Sequence, residues 1–186
     1  IPISLFLSLA PEQLTNSKLP VLLKVLDPKP VKSLGNLYLE VHEEKEEVYV
    51  VTHIDSGAWP EGVGTMRYGI DQVARQSYGT DQQFRAAYLS SVQEYEAIRE
   101  KVDAGLDVST TLEEKAKLKM DRFTSVKEMR LGDVIKVPTW TPHSLQHGVR
   151  VVEFQTPTYE RYIISFEQRV LTQNHWDSEH AITHMT

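Results

Sequence analysis

Two short stretches about a hundred residues apart constrain this chain more than anything else in it. The first is Glu40-Val-His42, followed by Glu47, and the second ends in His143. Side chains on a strand alternate faces, so Glu40 and His42 project to one side. The run Glu47-Val-Tyr-Val-Val51 reads as the next strand, whose Glu47 faces the same cavity across a tight connection. In the second stretch Gly132-Asp133 predicts a turn and residues 134–137 a short strand. Residues 138–142, bounded by Pro138 and Pro142, predict a rigid loop that presents His143. Two imidazoles and two carboxylates converging inside a barrel suit one divalent transition-metal ion, with zinc the default and manganese, iron or cobalt as alternatives. Taken alone, the acid-rich first stretch, with Glu43, Glu44 and Glu46, reads more readily as solvated surface. His143 and its loop turn the balance toward metal chemistry.

Outside its middle the chain is strand-like. Residues 19–26 and 37–54 are rich in β-branched and aromatic side chains, and Asp27-Pro-Lys-Pro30 and Ser33-Leu-Gly-Asn36 punctuate the gap between them. Turns at 55–57 and 60–62 precede a short strand over 65–70. The period then changes. Thr80 followed by Gln83 reads as a capping box, and Phe84, Tyr88, Val92, Tyr95 and Val102 recur near helical spacing as a core stripe. Gly105 is a natural stop, and Thr111-Leu-Glu-Glu114 opens a second, shorter helix toward Met120. Residues 71–120 thus form a mainly helical insertion within a single domain spanning 1–186. Strand signals return at 134–137, 149–155 and 162–167. Alternation puts Val151, Glu153 and Gln155 on one face, where an inward Glu153 can act as a base. The polar tail from Leu171, with His175, His180 and His184, reads as exposed. His53 and His147 read as structural or exposed.

A chain of 186 residues suits one domain with a real core, and a net charge of -6 leaves no basic footprint for nucleic acid. With no cysteine, disulfides and thiolate ligands are excluded, so a metal must use histidine, carboxylate and water. The opening Ile1-Pro-Ile-Ser-Leu-Phe-Leu-Ser-Leu-Ala10 is apolar but lacks a basic flank and is too short for a bilayer, so it reads as a strand or core segment. A first residue other than Met suggests a processed or trimmed chain. The expectation is a cytoplasmic protein with no membrane partner, and a homodimer is one assembly left open.

The paired stretches resemble the two cupin motifs, and more narrowly those of the type I phosphomannose isomerases. Members of that family place a Gln-x-His pair, then Lys-x-Glu before an aromatic-rich strand, then Gly-Asp…Val-Pro…Thr-Pro-His. This chain has Glu40-Val-His42, Lys45-Glu46-Glu47-Val-Tyr, and Gly132-Asp133…Val137-Pro138…Thr141-Pro142-His143. Thr156-Pro-Thr-Tyr-Glu-Arg161 is similar to the family segment ending in an active-site arginine, and the segment from Leu19 to Leu26 is similar to the apolar strand before the metal stretch. The resemblance runs from about Leu19 to Arg161.

It implies a cupin-type jelly-roll barrel with a helical insertion. It further implies a metal held by Glu40, His42, Glu47 and His143, with Lys45 and Arg161 at the reacting centre and Lys24 binding an anionic substrate group. The implied activity is a metal-dependent aldose–ketose isomerisation of a sugar or sugar phosphate. Alternatives are a metal-binding cupin without turnover that holds a sugar or small acid, and another metal-dependent cupin enzyme such as an oxygenase. Two departures bear on the substrate: Glu40 stands where the family has glutamine, and Tyr38 stands where it has a small hydroxyl residue that contacts phosphate. With both Glu40 and Glu47 ionised, a divalent ion is neutralised and its Lewis acidity falls. A different or unphosphorylated sugar is therefore expected in place of mannose 6-phosphate.

Overall fold

The computed structural model describes residues 21–166 and 175–186. The expected strand or core segment at 1–10 lies outside them. Alternating β-branched and aromatic residues form strands β1 (Leu22–Leu26), β2 (Leu39–Val41), β3 (Glu47–Ile54) and β4 (Val63–Ile70), with a one-turn helix α1 (Lys32–Gly35) after β1. Helices α2 (Gln72–Gln76), α3 (Asp81–Asp103) and α4 (Thr110–Asp121) follow. Then come β5 (Thr124–Arg130), β6 (Val134–Val137), β7 (His143–Leu145), β8 (Val149–Gln155), β9 (Tyr162–Ser165) and a final helix α5 (Ser178–His184).

Two antiparallel sheets result, ordered β1-β8-β3-β6 and β5-β4-β7-β2-β9. Tyr49, Val51 and Val151 from the first meet Met66, Met129 and Leu145 from the second in one apolar cluster, so the sheets pack face to face. A third layer of helices covers the outer side of the five-stranded sheet. There Leu39, Val41 and Ile164 pack with Phe84, Tyr88, Tyr95, Met120 and Phe123.

The Thr80 cap forms as expected, its side chain accepting from the N–H of Gln83 at 3.2 Å. The core stripe of α3 runs Phe84, Tyr88, Val92, Tyr95 and then Ile98, and not Val102. Helical drift carries Val102 off the buried face, whereas Arg99 is drawn in by ion pairs to Asp103 at 2.6 Å and Glu113 at 2.7 Å. The second expected box is not used: α4 begins at Thr110 after Ser109, without a side-chain cap. Gly132 takes the left-handed φ of 89 that the turn before β6 requires.

Two expectations need correction. The tail does not hang free, because α5 buries Ala181 and Ile182, and the following Met185 is buried with them, in the helical core. Two hydrogen bonds tie it to β9: Asp177 N–H donates to Ile163 O at 2.6 Å, and Ile163 N–H donates to the Asp177 side-chain carboxylate at 2.9 Å. The two stretches do neighbour one another through β2 and β7, but the strand bearing Glu47 is not the neighbour of β2. β2 pairs with β7, whereas β3 belongs to the opposite sheet. Residues 42–46 cross between them, held where the Glu160 carboxylate accepts the N–H groups of Glu44 and Lys45 at 3.2 and 3.1 Å.

Tyr88 allows a test whose sign is fixed by packing. Its ring is fully buried and stacked on Phe123 with centroids 4.9 Å apart, while its hydroxyl has no protein partner. Tyr88→Phe removes an unsatisfied polar atom and should leave stability unchanged or raise it by up to about 1–2 kcal/mol. Tyr88→Ala should cost about 3–5 kcal/mol. Urea melts of the two variants check both signs, and a Phe variant clearly less stable than wild type would mean the hydroxyl is satisfied.

Candidate metal centre

The crossing between sheets brings the expected ligands together. Glu40 in β2 lies directly opposite His143 at the start of β7, and His42 follows β2. Donor atoms of Glu40, His42 and His143 all lie within 4.8 Å of one another. Glu47 enters from the facing sheet, its carboxylate 3.4 Å from His42 Nε2 and 3.2 Å from His143 Nε2. Both imidazoles and Glu47 are 1% exposed.

The donor chemistry fits a divalent transition ion. His143 Nδ1 lies 3.0 Å from the Thr141 carbonyl, which fixes the tautomer with hydrogen on Nδ1 and turns the Nε2 lone pair into the cluster. Nε2 of both histidines is buried without a hydrogen-bond partner. The groups facing them are the Glu47 and Glu40 carboxylates, so these nitrogens are met either as protonated donors to the acids or, as neutral acceptors, by a cation held between. Among the described residues this is the one group of three or more histidine and acid side chains so arranged.

The cluster forms the floor of a cavity of about 250 Å³ lined by Lys24, Tyr38, Lys45, Tyr49, Glu153 and Arg161, among others. Of the residues singled out from sequence, Lys24, Glu40, Lys45, Glu47, His143 and Arg161 line this one space, and His42 lies behind it against Glu47. Lys45 is buried, its ammonium 2.7 Å from Glu47. Burial alone would push the Glu47 carboxyl up, but the flanking His143 and His42 outweigh it and hold the group far below the usual carboxylate range. Tyr49 donates to Glu47 at 2.9 Å, and burial together with the Glu47 charge pushes its phenol well up, so it stays a donor. Lys24, in an otherwise apolar strand, reaches Glu153 at 3.1 Å and also bonds Gln155. Arg161, just before β9, donates to the Tyr38 hydroxyl and lies over its ring. Burial and Glu40 push the Tyr38 phenol up to about 12 against the opposing pull of Arg161.

Glu153 is the group that sequence alone placed on a face but could not place in a site. It is 2% exposed and opposite both Lys24 and Tyr49 in register. Burial and the nearby Glu47 raise its carboxyl above the ordinary value, with Lys24 and Lys45 opposing. The alternation of β8 was the available signal, and no motif marks the position. Glu160, at the cavity wall, was likewise unmarked. Of the other histidines, His147 bonds Asn36 and stacks on Trp59, whereas His53 is exposed, in keeping with structural and surface roles.

No protein-family model matches this chain, and no curated protein matches it in sequence. Solved structures do. Mannose 6-phosphate isomerase from Bacillus subtilis superposes with a TM-score of 0.58 at 15% identity, over 91% of this chain and 45% of that one. A lysine-to-alanine variant of phosphomannose isomerase from Salmonella typhimurium gives 0.55 at 12% identity, over 91% and 54%. A putative mannosephosphate isomerase from Archaeoglobus fulgidus gives 0.51 at 13% identity, over 96% and 48%. The chain thus spans about half the length of the structures it matches. The likeness shows the fold: a cupin-type arrangement of antiparallel strands in two sheets with added helices. No helix among the described residues is long and apolar enough to cross a membrane.

If the cluster holds an ion, protein loaded with zinc should retain one equivalent through gel filtration, and His143→Ala should lose it, as read by elemental analysis. Chelation should lower the melting temperature by about 5–10 °C, the shift for an ion bound at about a hundred times its dissociation constant in a domain of this size. Unchanged metal content in the variant, together with an unmoved melting temperature on chelation, would mark the cluster as a closed hydrogen-bonded network.

Proposed function

We infer that this chain is a metal-dependent sugar isomerase that interconverts an aldose and a ketose. The observation that carries the reading is the juxtaposition of the Glu40–His42–His143 cluster with Lys45, Glu153 and Arg161 at one small cavity. The likeness in fold to phosphomannose isomerases supports it. A zinc-like divalent ion would be held by Glu40, His42 and His143, with Glu47 completing the set, and it would supply Lewis acidity at the sugar's vicinal oxygens. The protein's own groups do the rest. Isomerisation moves a proton between carbons 1 and 2. Glu153, with its carboxyl raised by burial and Glu47, is suited to take that proton from one carbon and return it to the other. Lys45 and Arg161 stabilise the negative charge that develops on the substrate oxygens meanwhile.

The charges around the cavity speak to the substrate. Four carboxylates line it (Glu40, Glu47, Glu153 and Glu160) against three cations, Lys24, Lys45 and Arg161. Lys24 and Lys45 are already paired with Glu153 and Glu47, which leaves Arg161 alone without a carboxylate partner among the described residues. A dianionic phosphate would meet one free guanidinium, so a neutral sugar fits better than a sugar 6-phosphate. The two carboxylates in the ion's shell also favour a second reading, a sugar-binding cupin without turnover, because they lower the Lewis acidity.

Exchange of the carbon-2 proton of candidate aldoses with deuterated solvent, followed by NMR in zinc-, manganese- and cobalt-loaded protein, decides between them. Exchange on a free aldose, weak on mannose 6-phosphate, is the expected result. Lys45→Ala and Arg161→Ala should keep their metal and lose about 10²–10³ in kcat, and Glu153→Gln about 10²–10⁴. No exchange with any aldose in metal-loaded protein would select the binding module, and efficient mannose 6-phosphate turnover would overturn the choice of a neutral sugar.

A further inference from the structure

Among the described residues Trp140 alone, apart from glycines, has its backbone in the left-handed region, with φ 58. A bulky side chain is disfavoured there, so the surroundings must hold it. Its N–H donates to the carbonyl of His42 at 2.6 Å, and its own carbonyl accepts from Thr186 N–H at 2.8 Å. Its indole lies parallel to the Tyr162 ring, planes 7° apart with centroids separated by 5.9 Å, and it also meets His184 at 4.9 Å and His180 at 5.7 Å. Helix α5 is anchored in turn. The Arg85 guanidinium on α3 donates to the carbonyls of Ile182, Thr183 and Met185 at its C-terminal end.

One residue therefore touches the supports of both imidazoles. The segment bearing His42 is tied down through its carbonyl. His143 is oriented by the carbonyl of Thr141, the residue that follows Trp140. If Trp140 relaxed to the ordinary negative φ, its N–H would turn away from His42 and the chain leading to the Thr141 carbonyl would swing.

We propose that Trp140 is a positioning residue for the metal centre, held in its strained conformation by Tyr162 and α5, so that metal affinity depends on docking of the C-terminal helix. This rests on the metal-centre reading above. Groups that orient metal-binding histidines without touching the ion typically change affinity about 10–100-fold when removed.

Zinc affinity, measured by competition with a chromophoric chelator, and the visible spectrum of the cobalt(II) form test it in wild type, Trp140→Phe, Trp140→Gly and Trp140→Ala. Phe keeps an aromatic stack and should stay near wild type. Gly keeps the left-handed backbone without the stack and should bind about 10-fold more weakly. Ala keeps neither and should bind about 100-fold more weakly, with a shifted cobalt spectrum. Recovery from Ala to Gly separates backbone conformation from simple loss of packing, which would rank Gly last. Gly and Ala variants that bind zinc within about twofold of wild type and share its cobalt spectrum would overturn the proposal. Should these variants fail to fold by circular dichroism, Arg85→Ala releases the end of α5 from outside the cavity and should weaken zinc binding several-fold, while unchanged affinity would overturn the proposal equally. Wild-type protein that binds neither zinc nor cobalt would instead remove the metal centre itself, and this inference with it.

Discussion

A carboxylate cannot sit charged between two packed sheets without cations or donors around it, and Glu47 sits there at 1% exposure. Its surroundings are arranged accordingly: the Lys45 ammonium at 2.7 Å, the Tyr49 hydroxyl at 2.9 Å, and two imidazoles at 3.2 and 3.4 Å. Satisfying this one acid requires the segment from His42 to Lys45 to cross from one sheet to the other. It also requires β7 to deliver His143 opposite Glu40. The crossing has its own fastening in Glu160, and the delivery has one in the Thr141 carbonyl. A buried charge thus organises backbone well beyond its own strand.

The layers follow from which faces are apolar. Leu39 and Val41 alternate with Glu40 along β2, so the strand turns its aliphatic side to the helices and its acid to the space between the sheets. The helical layer is more than cover. Through Phe84, Tyr88 and Tyr95 it fixes the outer side of the five-stranded sheet, and through Arg85 it caps α5, which reaches the loop before His143.

How much of this was legible in the sequence varied with the physics that carried it. The candidate ligand residues were legible because strand alternation and a proline-bounded loop are local rules, and Glu40, His42, Glu47 and His143 do converge. The helical segment was legible from the Thr80 cap and the spacing of Phe84, Tyr88, Val92 and Tyr95. The tail was not. Its polar composition argued for exposure, whereas its attachment depends on the backbone and carboxylate of Asp177 against the Ile163 backbone and on rings of Trp140 and Tyr162, which no local pattern announces. Glu153 shows the same limit: its face could be read from β8, but its partners Lys24 and Tyr49 come from strands distant in the chain. The assignment of β2 and β3 to different sheets also escaped, because a five-residue connection is equally compatible with a hairpin.

The two sheets divide the chemistry of the cavity between them. β2 and β7 of the five-stranded sheet contribute Glu40 and His143, and Arg161 leads into β9 of the same sheet. The four-stranded sheet contributes Lys24, Glu47, Tyr49 and Glu153, two acid–donor pairs on adjacent strands. On the proposed function, one wall mostly holds the ion and the other mostly handles charge and protons, with the sugar between them. The separation of the walls is then a catalytic distance, and it is set by side chains that take no part in the chemistry: Val51, Val137 and Val151 against Met66, Met129 and Leu145. Interiors are packed densely enough that changing such a residue by one methylene is felt. The core between the sheets therefore holds the fold together and also sets the spacing of the site.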